Sequence, residues 1–155
     1  MEQRRRLRIL SKIPEAGDTA TFVLEPADGL PLHYRPGQYL TLLFQSNGRE
    51  KRRAYSFSTC PGVDALPAIT VKRVVNGEFS NHLLRHVQAG DLLEAIDPNG
   101  LFLLPEKQVD TLFFIAAGSG ITPVFSQLKM LLQSRENAHR NTKIVLYYAN
   151  RDSQS

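Results

Sequence analysis

The chain has 155 residues, of which 42% are hydrophobic and 22% are charged, and its formal net charge is +4. These proportions are typical of a folded globular protein and exclude a disordered chain. The single cysteine excludes an internal disulfide and an all-cysteine metal site within these residues, and the longest apolar run, residues 112–117, is too short to cross a bilayer. The basic N terminus lacks the apolar segment of a secretory signal, so we expect a cytoplasmic protein with no membrane insertion.

Much of the positive charge lies in two clusters, at residues 4–8 and 49–53. The chain lacks tryptophan and shows no recognition-helix pattern, so we expect no nucleic-acid partner. Solvated strand ends are the preferred interpretation, above all for the first cluster. The alternative is a docking face for an acidic partner, which would act mainly on the association rate and would weaken with salt.

The first hundred residues predict an antiparallel β-barrel or sandwich, because short strands are separated by turn signals. In the first strand, Leu7, Ile9 and Ile13 alternate with polar neighbours. The dipeptide Asn47-Gly48 is a strong signal for a tight hairpin. The six predicted strands cover residues 7–13, 20–25, 39–44, 52–58, 68–75 and 92–96.

One short helix interrupts these strands. Leu83, Leu84 and Val87 lie at helical spacing, and Ser80 is the predicted N-cap of a helix over residues 80–87. The barrel domain is then expected to occupy residues 1–104.

A different pattern follows a linker at residues 105–109. Residues 111–117 predict a continuous apolar strand, as in a parallel sheet covered on both faces. Thr122 is predicted to cap the next helix, with Pro123 at its first position. The apolar face of that helix is predicted to contain Val124, Phe125, Leu128, Leu131 and Leu132. With another strand at 143–149, residues 105–155 are expected to be a truncated, Rossmann-like α/β nucleotide-binding domain.

The first of three informative motifs is Arg53-Ala54-Tyr55-Ser56. It places a cation, an aromatic ring and a hydroxyl on one predicted strand. Strand alternation directs Arg53 and Tyr55 to the same face, so one side of the strand can contact both a phosphate and a ring. Taken alone, the motif also fits a cross-strand pair on a barrel surface.

The other two motifs are helix starts that contain glycine. Gly77-Glu78-Phe79-Ser80-Asn81 opens the short helix, where Ser80 and Asn81 are expected to offer free backbone N–H groups and small polar side chains to an anion. Gly118-Ser119-Gly120-Ile121-Thr122-Pro123 leads a strand into a helix, and its glycines give a phosphate room to approach the backbone. It lacks the third glycine of the dinucleotide fingerprint, so alone it also fits an ordinary tight turn.

In this order, the three motifs resemble those of the ferredoxin–NADP reductase superfamily, in which a flavin-binding barrel precedes a nicotinamide nucleotide domain. The resemblance runs from about Leu7 to the end of the chain. It is strongest to the reductase components of multicomponent oxygenases, such as phenylacetyl-CoA epoxidase reductases. It implies a six-stranded antiparallel, Greek-key, flavin-binding β-barrel followed by the first part of an α/β nucleotide-binding domain.

The resemblance also implies residue roles. Arg53 would pair with the flavin pyrophosphate, Tyr55 would pack on the isoalloxazine ring, and Ser56 would hydrogen-bond near its N5. Thr122 would lie near the nicotinamide, so Ser56 and Thr122 are the expected catalytic residues. The expected cofactor-binding residues are Arg53, Ala54, Tyr55, Ser56, Val71, Lys72, Arg73, Gly77, Phe79, Ser80, Asn81, Gly118, Ser119, Gly120, Thr122, Pro123, Arg151 and Ser155.

The last residues bear on the choice of nucleotide. Relatives that prefer NADH often carry a carboxylate where Ser155 falls, whereas Arg151 suits a 2′-phosphate. We therefore expect NADPH, with NADH as the alternative. Phosphate motifs at both Arg53 and Ser80 favour FAD, although FMN-binding members share much of the pattern.

The implied function is an FAD-dependent NAD(P)H oxidoreductase that passes electrons to an iron–sulfur acceptor, either a ferredoxin domain or an oxygenase component. The alternative is a flavin-binding fragment without turnover, because the nucleotide domain is incomplete. A 2Fe-2S cluster is expected only if a further C-terminal domain exists. No metal site is expected, since the four histidines show no ligand pattern.

Overall fold

The computed structural model describes residues 3–133 and 141–150. Its larger part is a six-stranded antiparallel sheet with the strand order β4-β3-β6-β1-β2-β5. The strands are β1 (Arg4–Pro14), β2 (Thr19–Pro26), β3 (Tyr39–Ser46), β4 (Arg49–Ser56), β5 (Ala68–Lys72) and β6 (Leu92–Asn99). The predicted six-stranded antiparallel architecture is therefore confirmed.

The sheet curls until its two edge strands approach each other. Phe57 and Ile69 form an antiparallel bridge, and the Ser58 N–H donates to the Ala68 carbonyl at 2.9 Å. This junction joins the end of β4 to the start of β5. Away from it, each of these two strands has a strand neighbour on only one side within the described residues, which leaves main-chain groups available at a partly open seam of the barrel.

Alternation along the strands places apolar side chains inside the barrel. In β1, Leu7 and Ile9 are fully buried, whereas Arg4, Arg6 and Arg8 are exposed. The interior is a continuous apolar cluster that includes Phe22, Leu24, Leu40, Leu42, Phe57, Ile69 and Val71, all with no exposed surface.

The hairpin between β3 and β4 forms where the sequence predicts it. Ser46 pairs with Arg49, which leaves Asn47 and Gly48 as a two-residue turn. Both turn residues have positive φ, at 52° and 70°. Asparagine and glycine tolerate this conformation, and its twist matches that of the flanking strands.

The helix α1 (Glu78–His86) follows β5, and it begins two residues earlier than the sequence predicts. Gly77 is its N-cap, and the prediction that Ser80 caps it is wrong. Ser80 lies inside the first turn, where its Oγ accepts from the Val74 N–H at 3.1 Å. The serine is therefore bonded to the preceding loop, which begins where β5 ends at Lys72 rather than at residue 75.

The smaller part of the structure is a strand–helix–strand unit. The strands β7 (Thr111–Ala117) and β8 (Lys143–Ala149) pair in parallel, and α2 (Ile121–Gln133) lies between them in the chain. A 3-10 turn at Gly118–Gly120 precedes α2, so helical structure begins before Thr122 and the predicted capping role is wrong. Instead, the Thr122 hydroxyl donates to the Ser119 carbonyl at 2.9 Å. No helix in the described part of the chain is long and apolar enough to span a membrane.

The apolar strand β7 is covered on one face by the described residues, not on both as predicted. Phe114 and Ala116 are buried in a cluster with residues of α2. Phe113 and Ile115, on the opposite face, are 62% and 73% exposed. The predicted apolar face of α2 is also only partly correct, because Leu132 is 69% exposed.

Candidate functional site

A cavity of about 430 Å³ lies between the barrel and the start of α2. It brings together four residues that the sequence predicts to bind cofactors: Lys72 at the end of β5, and Gly118, Ser119 and Thr122 at the strand-to-helix turn. Hydroxyl groups of the barrel form much of the opposite wall, from Thr19, Thr21, Ser58, Thr59 and Thr70. The third motif of the sequence therefore faces the outer surface of the barrel across this space.

The two glycines of the turn face open space. Gly118 has a φ of +50°, and a Cβ built on either Gly118 or Gly120 meets no other atom within 4 Å. Packing within the described chain therefore does not require glycine at Gly120, where φ lies outside the left-handed range. The N terminus of α2 adds a partial positive charge. This combination fits an approaching phosphate or a nicotinamide group.

Hydrogen bonds order the hydroxyl wall of the cavity. The Thr21 hydroxyl donates to Glu15 Oε1 at 2.8 Å and lies 2.8 Å from Thr70 Oγ1. On the other side, the Tyr148 hydroxyl donates to the Gly118 carbonyl at 3.2 Å, which ties β8 to the turn. The cavity thus has hydroxyl groups on the barrel side and the Gly118-Ser119 turn on the α2 side.

The first sequence motif lies at a second location, where β4 approaches α1. Arg53 is exposed and its Nη1 donates to the Arg52 carbonyl at 2.7 Å. Tyr55 is half-buried, with its ring centroid 6.2 Å from that of Phe79 in the first turn of α1. Burial raises the pKa of Tyr55 to about 12, although the charge of Arg53 opposes this shift. At neutral pH, the pair therefore offers one cation and one uncharged phenol ring.

An oxyanion already lies among the cations at the start of α1. The Glu78 carboxylate accepts a hydrogen bond from Lys51 Nζ at 2.6 Å and another from the Ser46 hydroxyl. The Lys51 bond, followed by the Ser46 bond, lowers the pKa of Glu78, and the charge of Arg53 contributes in the same direction. The donors around this corner therefore suit a phosphate oxygen as well as they suit a carboxylate, which fits a flavin pyrophosphate at Arg53.

The second motif is largely occupied with its own loop. A Cβ on Gly77 would lie 2.7 Å from Val74 Cβ and 2.8 Å from Ser80 Oγ, so only glycine fits there. Asn81 Nδ2 donates to the carbonyls of Gly77 and Val74, at 2.6 and 3.1 Å. The Asn81 N–H also donates to the Gly77 carbonyl, at 3.2 Å. The expectation of a free N–H at Asn81 is therefore wrong, and the N–H groups without intrahelical acceptors belong to residues 78–80.

The structure places the remaining predicted residues as follows. The side chains of Val71 and Phe79 belong to the barrel core, with Phe79 stacked on Phe44 at a centroid distance of 3.9 Å. The Arg73 guanidinium pairs with Asp18 at 2.7 Å. Ala54 is exposed, Ser56 ends β4 half-buried, Pro123 is half-buried in α2, and Arg151 and Ser155 lie outside the described residues.

Sequence reasoning missed several residues of the cavity wall. Ser58 and Thr59 lie two and three residues after the end of the first motif, and this proximity was an available signal. Phe125 and Lys129 lie three and seven residues after Thr122, so helical periodicity also pointed to them. Phe125 was assigned to the apolar face of α2, but it is 48% exposed and lines the cavity. Within residues 3–133 and 141–150, no cluster of histidine, cysteine and carboxylate side chains could hold a metal ion.

Two protein-family models match the chain. The model described as "Oxidoreductase FAD-binding domain" matches residues 6–103, and that described as "Oxidoreductase NAD-binding domain" matches residues 114–155. The first match alone covers more than half of the chain. The two matched regions correspond to the barrel and to the strand–helix–strand unit.

Curated relatives extend this likeness. The ferredoxin reductase component of 3-ketosteroid-9-alpha-monooxygenase from Rhodococcus rhodochrous is 40% identical over 96% of this chain and 42% of its own length. An NADPH oxidoreductase of Mycobacterium tuberculosis is 36% identical over 83% of this chain and 35% of its own length. The chain therefore spans less than half the length of these relatives.

Solved structures share the fold. The FAD/NAD-binding domain of nitric oxide dioxygenase from Vibrio cholerae has a TM-score of 0.80 at 28% identity, over 99% of this chain and 65% of that one. Phthalate dioxygenase reductase, described as transferring electrons from pyridine nucleotides to [2Fe-2S], has a TM-score of 0.77 at 29% identity, over 97% of this chain and 45% of that one.

Proposed function

Because the chain belongs to the ferredoxin reductase superfamily of FAD- and NAD-binding oxidoreductases, we propose that it forms part of an FAD-dependent NAD(P)H reductase. In this proposal, electrons pass from NAD(P)H through FAD to an iron–sulfur acceptor, either a ferredoxin domain or an oxygenase component. The observation that carries it is the cavity in which Gly118, Ser119 and Thr122 face the barrel. Hydride transfer needs two rings in contact, and this cavity lies where the two matched regions meet.

The residues present fit FAD at the barrel. Arg53 would bind a phosphate of the flavin, Tyr55 would support its ring system, and the N-terminal turn of α1 would receive the second phosphate. Ser56, at the end of β4, would donate a hydrogen bond to the ring. A bound flavin supplies the redox chemistry, since it takes up a hydride and releases electrons singly. The chain's own residues need only bind and orient it.

The nucleotide is proposed to enter at the strand-to-helix turn. Gly118 and Gly120 leave room for it, and the Thr122 hydroxyl borders the cavity on the same side. We propose NADPH rather than NADH, on the basis of Arg151 and the uncharged Ser155. Comparing kcat/KM of the full-length protein for NADPH and NADH tests this preference, and a higher value for NADH would contradict it.

The acceptor is proposed from the names of the relatives, two of which are ferredoxin or [2Fe-2S] reductases. The exposed arginines of β1 offer an acidic acceptor a positively charged surface. Reduction of the acceptor by the full-length protein is therefore expected to slow as ionic strength rises. Stopped-flow rates between low and physiological salt test this expectation, and a salt-independent rate would argue against docking at these arginines.

A flavin-binding module without turnover is the second candidate. It is favoured by one observation, namely that β7 pairs only with β8 in the described residues and that one face of β7 stays open, with Phe113 and Ile115 62% and 73% exposed. The two candidates differ in whether this chain alone is reduced by NADPH.

One experiment decides between the two candidates. The purified chain is mixed with FAD, and its absorbance is recorded before and after anaerobic addition of NADPH. A bound-flavin spectrum that bleaches supports the reductase, and a bound flavin that stays oxidised supports the module. A folded protein that binds no flavin would contradict both.

A further inference from the structure

A line of polar contacts joins α2 to the barrel, and we call it the α2 seam. It consists of Ser126 Oγ to the Thr59 carbonyl at 2.6 Å, Gln127 Nε2 to the Phe102 carbonyl at 2.7 Å, and Lys129 Nζ to the Asp64 carboxylate at 2.8 and 3.0 Å. In every contact, α2 provides the donor and the barrel or its loops provide the acceptor. The seam therefore fixes α2 to three points of the barrel.

Because the side chains of the seam are buried or partly buried, loss of any of these contacts costs free energy. Ser126 has no exposed surface and Gln127 is 2% exposed, so neither side chain can exchange its partner for bulk water. A buried polar group without a partner is costly, which penalises any shift of α2 along the barrel. The Lys129–Asp64 pair is also shielded, with side-chain exposures of 18% and 26%. Two buried donors and one shielded ion pair therefore specify a single placement of the helix.

The middle acceptor of the seam is itself held by the barrel. A Cβ on Gly37 would lie 1.8 Å from the Phe102 carbonyl oxygen and 2.5 Å from Gln127 Nε2. Only glycine permits this approach, and the φ of Gly37 is +97°. The Phe102 carbonyl, which accepts the hydrogen bond from Gln127, therefore packs closely against the turn before β3. This packing restricts the movement of the carbonyl.

The seam lies next to the cavity. Thr122, which lines the cavity, precedes Ser126 by one helical turn, and the side chain of Lys129 borders the cavity directly. A displacement of α2 would consequently move the turn at residues 118–122 relative to the barrel wall.

We propose that Gln127 and Lys129 are positioning residues, which set the separation between the glycine turn and the barrel across which the nicotinamide nucleotide and the flavin meet. This inference rests on the proposed function. It assigns the alignment to contacts between α2 and the barrel: Gln127, which does not line the cavity, acts through the Phe102 carbonyl, and Lys129, at the cavity edge, acts through the Asp64 carboxylate. A shift of the turn would slow the hydride transfer step more than it would weaken the binding of FAD.

Cys60 provides a built-in probe of the seam. It is the only cysteine of the chain and is fully buried, and its N–H donates to Asp64 Oδ2 at 2.7 Å. Its thiol should react with a disulfide reagent only when the loop around Asp64 opens. Gln127 contacts a different segment, so an effect of Gln127 on Cys60 shows that the contacts act together.

The test compares Gln127→Met and Lys129→Met with Gln133→Met, a matched control on the exposed end of α2. Both seam variants are expected to speed the labelling of Cys60 by about tenfold or more, and to reduce the hydrogen-exchange protection of residues 118–122. The control should match the wild type, and Lys129→Arg should retain slow labelling because it keeps the ion pair. Wild-type labelling in Gln127→Met would overturn the proposal.

A second measurement distinguishes a misplaced α2 from a general loss of structure in the seam variants. In the FAD-loaded protein, both seam variants should bind FAD with a dissociation constant within about twofold of the wild type, because the barrel is unchanged. Reduction by saturating NADPH should slow by about tenfold, with a smaller change in KM. An unchanged rate would overturn the positioning role. Failure of the wild type to bind FAD would instead overturn the proposed function, and the labelling of Cys60 would still report on the seam.

Discussion

At the scale of single residues, the corner between β4 and α1 is defined by a balance of charges. Lys51 and Arg53 supply two cations, and Glu78 places one carboxylate at the helix N terminus. A carboxylate there satisfies the same donors that a flavin phosphate would use. Glu78 is therefore expected to compete with the cofactor for this corner.

Replacement of Glu78 by glutamine tests this competition. Without the carboxylate, the positive potential at Arg53 and at the start of α1 rises, so FAD is expected to bind roughly two- to fivefold more tightly. Fluorescence titration of FAD at low salt measures the dissociation constant. Glu50→Gln is the matched control on β4, because Glu50 pairs with Arg4 and Arg52 instead of Lys51. Weaker binding in Glu78→Gln would show that the carboxylate assists the cofactor.

Arg53 itself carries a second residue-scale prediction. Loss of its guanidinium in Arg53→Ala should raise the dissociation constant of FAD by about tenfold or more, as expected for a charge-assisted contact with phosphate. Arg53→Lys should recover only part of the affinity, because an ammonium group cannot bind bidentately. Arg49→Ala on the same strand should leave the affinity close to that of the wild type. Equal losses at both positions would indicate a general effect of charge.

At the scale of elements, the two helix starts use glycine for different reasons. Gly77 is required by packing, since a Cβ would lie 2.7 Å from Val74 Cβ. A Cβ on Gly120 would meet nothing within 4 Å, and the chain neighbours of Gly120, Ser119 and Ile121, line the cavity. The first glycine therefore serves the fold, and we expect the second to serve the ligand.

Alanine substitutions should separate these two roles. Gly77→Ala is expected to lower the free energy of unfolding by about 1–3 kcal/mol, because the loop before α1 must move. Gly120→Ala should leave stability unchanged or raise it by about 0.5 kcal/mol, while it weakens nucleotide binding to the full-length protein. Urea unfolding and NADP⁺ titration measure the two effects. A destabilised Gly120→Ala, or an unaltered nucleotide affinity, would contradict this assignment.

At the scale of the whole molecule, stability should fall at high pH because of Cys60. Burial, followed by the charge of Asp64, raises the pKa of this thiol to about 11, and Lys129 partly opposes the shift. The unfolded chain therefore releases the proton first, near the ordinary thiol pKa of 9.0. The stabilisation from the neutral thiol is complete below about pH 9 and is lost between about pH 9 and 11.

Comparison with Cys60→Ala isolates this contribution. The free energy of unfolding of the wild type should fall relative to that of the variant by about 1–2 kcal/mol between pH 8.5 and 11, by order of magnitude. Burial also raises the pKa of Tyr34 and Tyr55 to about 12, but both tyrosines are present in both proteins, so their effect cancels in the difference. Urea titrations at several pH values provide the measurement. A difference in the free energy of unfolding that stays constant with pH would show that folding does not raise the pKa of the Cys60 thiol.

Local sequence patterns determined the element order, the Asn47-Gly48 hairpin and the type of each strand and helix. Helix starts were less predictable, because competing hydrogen bonds decide them: Ser80 bonds to the Val74 N–H, and Thr122 bonds to the Ser119 carbonyl. In and next to the motifs, the type of an amino acid did not reveal whether it packs in the core or lines the cavity. Phe79 packs in the core, whereas Phe125 lies at the cavity.

The sequence by itself determined the family, because its three motifs are local and each depends on a few consecutive residues. Only the tertiary structure decided how those motifs combine. Residues distant in the chain, such as Thr21, Thr70 and Lys129, line one cavity because the barrel curls and α2 docks against it. Such contacts depend on burial and hydrogen-bond geometry between residues far apart in the sequence. In the α2 seam, the partners of Gln127 and Ser126 lie 25 and 67 residues away in the chain. No local pattern encodes that separation, so the placement of α2 emerges only from the folded molecule.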